Sequence, residues 1–247
     1  MIASERRVYI MDKLNSSGII NLKEIARELD ISEITVRRDF EKLERAGRLK
    51  RVQGGAALED VLDSAEMTMK EKKTINYAAK REVAKAAAAH VKSGDCVFLD
   101  SGTSIAPLME FIANMPITIV TNNELVVKNL VEPKAEIYMI GGRHLPHFSM
   151  NVGPVAQEML AQYHFDISFF GCSSVSLDDD MIFLTDMDSM LMKRIALANS
   201  ARKILLIDAS KLGKRSFLKF TELRSFDHII CNTPDGIKVS DDRIDWV

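Results

Sequence analysis

Cysteine is scarce in this 247-residue chain: Cys96, Cys172 and Cys231 stand far apart, each in or beside an apolar run. An odd, scattered set offers neither a disulfide framework nor a zinc-ligand spacing, so reduced core thiols are expected. His144 and His147 flank Pro146 and have no evident third ligand, and Asp178 to Asp180 read as a solvated loop. No apolar run reaches the ~20 residues of a membrane-spanning helix. The opening M-I-A-S-E-R-R lacks the apolar stretch of a signal peptide. Internal repeats and low-complexity tracts are missing too. A cytoplasmic protein without metal, cofactor or membrane partner is therefore expected. Excess charge is also absent: the formal net charge of -2 excludes a wholly basic coat protein, though not a local basic patch.

What is present is an ordinary globular mixture, 47% hydrophobic and 28% charged, long enough for one large domain or two unequal ones. The positive charge is concentrated. Residues 37–51 hold seven Lys and Arg against three acids, a local net of +4. The stretch beside this patch, Ile31 to Leu43, reads I-S-E-I-T-V-R-R-D-F-E-K-L. Ser32 can cap a helix there, and Ile34, Phe40 and Leu43 supply an apolar side. Thr35, Arg37 and Arg38 are left near its N-terminal end, pointing outward. That surface suits a DNA major groove, although a solvated basic face would look the same in isolation.

The flanking residues supply context. Ser4 to Leu14 is a predicted helix whose face is Val8, Met11 and Leu14, or Ile10 and Leu14, stopped by S-S-G at 16–18. Ile19-Ile20 is extended. Asn21 then begins N-L-K-E, which resembles a capping box, and Leu22, Ile25, Ala26 and Leu29 form a second apolar face. Asp30-Ile31 joins this helix to the next, which Gly47 ends. Two short helices so joined, the second bearing arginines, match a helix-turn-helix. After Gly47, Leu49 and Val52 face inward while Arg48, Lys50 and Arg51 project. With Gly54-Gly55 following, this reads as a wing whose basic side chains meet phosphates.

Here the chain resembles a known family. Arg6, Ile10 and Leu14, then S-x-x-T-V-R-R-D-F from Ser32 to Phe40 and R-V-Q-G-G-A-A-L at 51–58, look like the signature of DeoR-type transcriptional regulators. The resemblance implies a winged helix-turn-helix domain over residues 1–58 that binds operator DNA, usually to repress sugar catabolic genes. Asp39 belongs to the same motif. A bare carboxylate would repel phosphates, so its expected role is to orient a neighbouring arginine or lysine. Residues 59–75 are charged and lack Gly and Pro, which reads as a linker with some helical content, weakly supported by Glu66 and Lys70 at i, i+4.

Residues 76–247 alternate short β-branched runs with helical patterns. Strands are expected at Val97–Leu99, Ile117–Val120, Ile137–Ile140, Ile167–Phe170, Ile204–Ile207 and His228–Cys231. Helices are expected at Tyr77–Val91, Ile105–Ala113, Glu124–Val131, Val155–Gln162 and Ser189–Ser200. The result is a larger Rossmann-like α/β domain with a mostly parallel sheet. Ligands in such sheets bind at the carboxyl ends of strands, and small or polar residues cluster there. Asp100, Ser101, Gly102, Thr103 and Ser104 follow the first strand, where free N–H groups and hydroxyls could receive an anion. Thr121-Asn122-Asn123, Gly141-Gly142, Gly171–Ser174 and Asp208–Lys211 follow later ones. A Walker lysine is missing, which argues against a nucleoside triphosphate. Lys211 could neutralise a phosphate, and Asp208 could accept from sugar hydroxyls.

D-S-G-T-S, V-T-N-N, I-G-G and L-I-D-A-S-K-L-G also resemble the effector-domain motifs of DeoR-type regulators. The resemblance implies a fold similar to ribose-5-phosphate isomerase and a phosphorylated sugar effector, its phosphate at Ser101–Ser104. Lys80 matches a recurrent family lysine. The loop C-S-S-V-S-L-D-D-D-M after Gly171, and Asp186 and Asp188 where a glutamate is common, depart from the pattern. The expected function is an operator-binding regulator gated by a phosphorylated sugar and working as a homo-oligomer, a dimer or tetramer. The alternative is a sugar-phosphate isomerase-like enzyme with a DNA-binding extension, which the lack of an obvious catalytic carboxylate motif disfavours. A purely interacting α/β protein is a third reading.

Overall fold

The computed structural model describes residues 2–17, 19–52, 54–58, 67–128, 130–233 and 241–247. Gly18 as a helix stop, Gln53 in the wing, most of the expected linker and Glu66 of the Glu66–Lys70 pair lie outside them.

The N-terminal part is three helices and a small sheet: α1 (Ala3–Ser17), β1 (Ile19–Asn21), α2 (Leu22–Glu28), α3 (Glu33–Arg45), β2 (Lys50–Val52) and β3 (Gly55–Ala57). Its core joins Ile10 and Leu14 of α1, Leu22 and Ile25 of α2, and Val36, Phe40 and Leu43 of α3. The α3 face differs from the sequence expectation at one position, and in α1 the Ile10–Leu14 alternative is the one realised. Val8 and Ile34 are 61% and 66% exposed, and Ile10 and Val36 take the inward positions. Both pairs lie two residues apart, so roughly 200° of helical rotation separates them. Spacing alone left a choice of face, and packing against the other two helices made it. Asn21 caps α2, its Oδ1 accepting from the N–H groups of Lys23 at 2.8 Å and Glu24 at 3.4 Å. Ser32 caps α3, accepting from the Thr35 N–H at 3.3 Å.

Strands β2 and β3 form an antiparallel hairpin, and β3 also pairs with β1. Gly55 is required there. A Cβ would lie 2.0 Å from the Ile20 carbonyl oxygen, so any side chain would force the strands apart. Beyond residue 66, a short helix α4 (Met69–Thr74) starts at a capping box of Thr68 and Glu71.

The C-terminal part is built on β4 (Cys96–Leu99), β5 (Thr118–Thr121), β6 (Glu136–Met139), β9 (Phe165–Phe170), β12 (Ser200–Ile207), β14 (His228–Cys231) and β15 (Asp245–Trp246). These form one parallel sheet in the order β15-β14-β12-β9-β4-β5-β6. Alternate residues serve two cores: Val97, Leu99, Ile167 and Phe169 face one layer, Phe98, Phe170 and Leu205 the other. Helix α5 (Tyr77–Ala88), a 3-10 turn (Ala106–Leu108) and α6 (Met109–Ile112) supply side chains to the first layer. Of the later helices α7 (Glu124–Val127), α8 (Pro154–Ala161) and α9 (Met187–Ala198), the last two pack on the second. The chain runs outward through β4, β5 and β6, then returns to β9 and runs the other way. The reversal between β4 and β9 is the crevice where doubly wound sheets bind ligands.

Three features were not expected. A hairpin of β7 (Arg143–Leu145) and β8 (Met150–Val152) follows β6. Strands β10 (Ser174–Ser176), β11 (Met181–Leu184) and β13 (Leu218–Glu222) make a separate antiparallel sheet. Strand β15 extends the main sheet by two residues. All are short, and a three-residue strand carries too little alternation to be read.

Candidate nucleic-acid interface and effector pocket

On α3, Val36, Asp39, Phe40 and Leu43 are buried while Arg37 and Arg38 are exposed. Thr35 is half-buried, its hydroxyl 2.9 Å from that of Ser32. The N-terminal end of the helix therefore presents hydroxyls and two arginines to solvent. Asp39 has the orienting role expected of it, towards α1: Arg6 Nε donates to its Oδ2 at 2.8 Å, and Asp39 is only 3% exposed. Past the helix, Arg48 N–H donates to the Leu43 carbonyl at 3.0 Å around Gly47, whose φ of +66° lets the chain turn. Arg48, Lys50 and Arg51 are all exposed. Arg51 is already engaged, its Nε on Glu44 at 2.7 Å and a terminal nitrogen on Glu41 at 3.2 Å. The Arg51 backbone N–H and guanidinium hold the Glu44 carboxyl below its usual range. Arg51 thus braces the wing against α3.

At the strand ends the central group is one that sequence reasoning missed. Lys193 of α9 is 3% exposed and donates to Asp100 Oδ2 and, at 2.9 Å, to the Gly171 carbonyl. Asp100 Oδ2 also accepts from the Gly171 N–H at 3.0 Å. The ends of β4 and β9 are so drawn together that a Cβ on Gly102 would lie 3.2 Å from Gly171 Cα. The available signal was Lys193 within the face of Met190 and Ala196, which are buried. A lysine there needs a buried partner. Asn123 was also passed over as a site residue. It donates to the Asp100 and Gly102 carbonyls at 2.9 and 3.2 Å and accepts from the Leu125 N–H at 2.9 Å, clamping the loop after β4.

Between these ends lies a cavity of about 50 Å³, lined by Ser101, Gly102, Gly171, Ser173, Thr185, Asp186 and Lys193, with Met69 and Phe148 among its apolar walls. Of the expected effector residues, Ser101 and Gly102 line it. Thr103 and Ser104 follow in the adjoining turn. The expected helix after them begins instead as a 3-10 turn at Ala106. Asn122 is buried after β5, donating to the Asn151 carbonyl at 3.1 Å. Gly141 and Gly142, after β6, do not reach the cavity.

Asp208 and Lys211 follow β12 on the other side. Asp208 is buried, accepting from Asn76 Nδ2 at 3.1 Å and from the Ser210 hydroxyl. Asn122 Oδ1, Ser174 Oγ and Asp208 Oδ2 are buried polar atoms without a hydrogen-bond partner among the described residues, each just beyond or at the edge of the carboxyl ends. Such atoms are costly unless something meets them. Lys80 Nζ donates to the Lys72 carbonyl at 2.6 Å, and burial pushes its pKa down to about 8 against the favourable charge of Asp208.

Most of the remaining candidates have structural partners. His144 Nδ1 is 3.0 Å from Asn151 Oδ1, and the His147 ring contacts Phe148. Asp179 pairs with Arg215 and Asp180 with Arg243. Asp186 caps α9, accepting from the Ser189 N–H at 2.7 Å, and Asp188 pairs with Arg143. All three cysteines are free thiols.

Residues 6–61 match the DeoR-like helix-turn-helix domain, and residues 75–233 match the DeoR C terminal sensor domain. The chain belongs to the DeoR family. A lactose phosphotransferase system repressor of Staphylococcus aureus (strain NCTC 8325 / PS 47) is 34% identical over 238 residues, covering 95% of this chain and 94% of that protein. An uncharacterised HTH-type transcriptional regulator, FruR, of Bacillus subtilis (strain 168) is 33% identical, covering 89% and 87%. Among solved structures, ribose 5-phosphate isomerase A from Methanocaldococcus jannaschii aligns over 56% of this chain and 55% of its own, with TM-score 0.42 and 19% identity. The full-length sorbitol operon regulator SorC from Klebsiella pneumoniae aligns over 79% and 91%, with TM-score 0.36 and 13% identity. This DeoR-type chain therefore carries the helix-turn-helix and the sensor domain that its motifs led one to expect. No helix among its described residues is long and apolar enough to cross a membrane.

Proposed function

We propose that this DeoR-type regulator is a cytoplasmic repressor of carbohydrate genes. It holds operator DNA with α3 and the wing and releases it when a phosphorylated sugar binds at the strand ends. The observation that carries the reading is the division of α3, with Val36, Asp39, Phe40 and Leu43 inward and Arg37 and Arg38 outward at its capped end. Those arginines, with Thr35 and Ser32, are the groups proposed to meet base edges and phosphates. Arg48 and Lys50 add phosphate contacts from the wing, and Arg51 contributes mainly by bracing it.

The effector reading is supported by the unpartnered polar atoms of Asn122, Ser174 and Asp208 around the β4–β9 crevice. Ser101–Ser104 and Lys211 are proposed for the phosphate, Asn122 and Asp208 for hydroxyls. Gly141 and Gly142 are left a role in shaping the outer edge. A symmetric or repeated operator would be met by two copies of the chain, a dimer or tetramer. Sensing needs binding without turnover, so no catalytic residue is assigned. Selection from random duplex DNA with the purified chain should return a symmetric or repeated site, released by one sugar phosphate. Turnover of a sugar phosphate without specific DNA binding would favour the isomerase-like alternative.

A further inference from the structure

A cavity of about 50 Å³ holds one or two water molecules, whereas small-molecule pockets run to roughly 300–1,000 Å³. A phosphorylated sugar seated fully within it therefore needs a wall to yield. The walls differ in how they are held. Ser101, Gly102 and Gly171 sit on the ends of β4 and β9, locked by Asp100, Lys193 and Asn123. Met69 begins α4, a helix that buries no residue.

Among the described residues, two hydrogen bonds tie α4 to the sensor domain. Met69 N–H donates to the His147 carbonyl at 3.0 Å, and Lys80 Nζ donates to the Lys72 carbonyl at 2.6 Å. An element with few buried contacts and few bonds to its surroundings is the one that opens at least cost. The second bond is also replaceable. Lys80 is a buried cation resting on a neutral carbonyl, and a phosphate oxygen would be a stronger, charge-assisted acceptor for it.

We propose that Lys80 is a latch: an anionic group of the ligand takes its ammonium from the Lys72 carbonyl while the rest of the ligand displaces Met69, and α4 is released. Helix α4 lies at the C-terminal end of the segment joining the two domains. Its release would carry occupancy of the pocket straight into that connection. The positive charges of Lys72 and Lys211 stand around Lys80 to receive the anion, against the opposing charge of the nearby Asp208 carboxylate. The inference rests on the sugar-phosphate reading above and adds how the site is read out.

The test uses the full chain with fructose 1-phosphate, fructose 6-phosphate and glucose 6-phosphate, and inorganic phosphate and the free sugars as controls. Residues 59–69 contain no Lys or Arg, so trypsin reports on α4 at Lys70, Lys72 and Lys73. The binding sugar phosphate should speed cleavage there at least fivefold. Lys80→Met should be cut at the fast rate with or without it. Met69→Ala, which shortens the yielding wall, should bind the same ligand several-fold more tightly, with a melting temperature close to that of the wild type. A wild-type chain that binds a sugar phosphate and releases DNA with cleavage unchanged would overturn the latch and leave the proposed function standing. A chain that binds none of the probes would overturn both.

Discussion

At the scale of single residues, buried charge marks where this protein is specialised. Asp39 and Arg6 form a largely enclosed pair beneath the proposed DNA-binding surface. Breaking such a pair by removing one partner costs about 3–5 kcal/mol. Asp39→Ala should therefore lower the chemical-denaturation midpoint of the N-terminal domain and weaken DNA binding, though Asp39 is itself buried. Lys80 behaves oppositely. Its pKa is about 8 in the folded chain against an ordinary value of 10.5, so folding disfavours its charged form. The penalty is full below pH 8, shrinks as pH rises and is gone above about 10.5. At ~1.4 kcal/mol per unit it is on the order of 3 kcal/mol, less about 1 kcal/mol for the hydrogen bond to Lys72. Lys80→Met should thus be the more stable protein at pH 7, and the advantage should fade between pH 8 and 10 in paired urea titrations.

At the scale of elements, α3 and the wing share one surface but not one role. Arg37 and Arg38 stand exposed on α3, while Arg51 is paired to Glu41 and Glu44. In fluorescence-anisotropy titrations, Arg37→Ala or Arg38→Ala should each reduce the slope of log affinity against log salt by about 1 for a lost phosphate contact. Arg51→Ala should change that slope less and loosen the wing instead. Ser32→Ala removes the cap of α3 and should cost ~1 kcal/mol of domain stability. Most helices, the caps and the principal strands were readable because each rests on local periodicity or one side chain, while the helix expected over Glu124–Val131 is only Glu124–Val127. The faces of α1 and α3 were less so. Val8 or Ile10, and Ile34 or Val36, are equally apolar, and only the neighbouring helix decides which is buried.

At the scale of the whole molecule, the two activities lie in parts of the chain with separate cores. A change at the strand ends should therefore blunt release while sparing operator binding. Thr103→Ala is expected to abolish the thermal shift produced by the effector and leave operator affinity in its absence unchanged. Equal loss of both in the same preparation would mean that sensor and reader are not separable. The candidate pocket was legible as a set of polar strand ends, because in a parallel sheet every carboxyl end lies on one edge. Which ends meet was not. Strand order puts β4 beside β9, so Ser101 and Gly102 share a cavity with Gly171 and Lys193, while Gly141 and Gly142 end the outermost strand.

The sequence by itself determined the two-part plan, the capped recognition helix with its outward arginines and the α/β alternation with polar strand ends. Each of these is written in neighbouring residues. Only the tertiary structure decided that Lys193 reaches Asp100 from 93 positions away and that Lys80 holds the Lys72 carbonyl. It likewise decided that Arg51 turns to Glu44. A charged side chain takes whatever partner the fold brings within reach, and that proximity is set by how the sheet and helices pack.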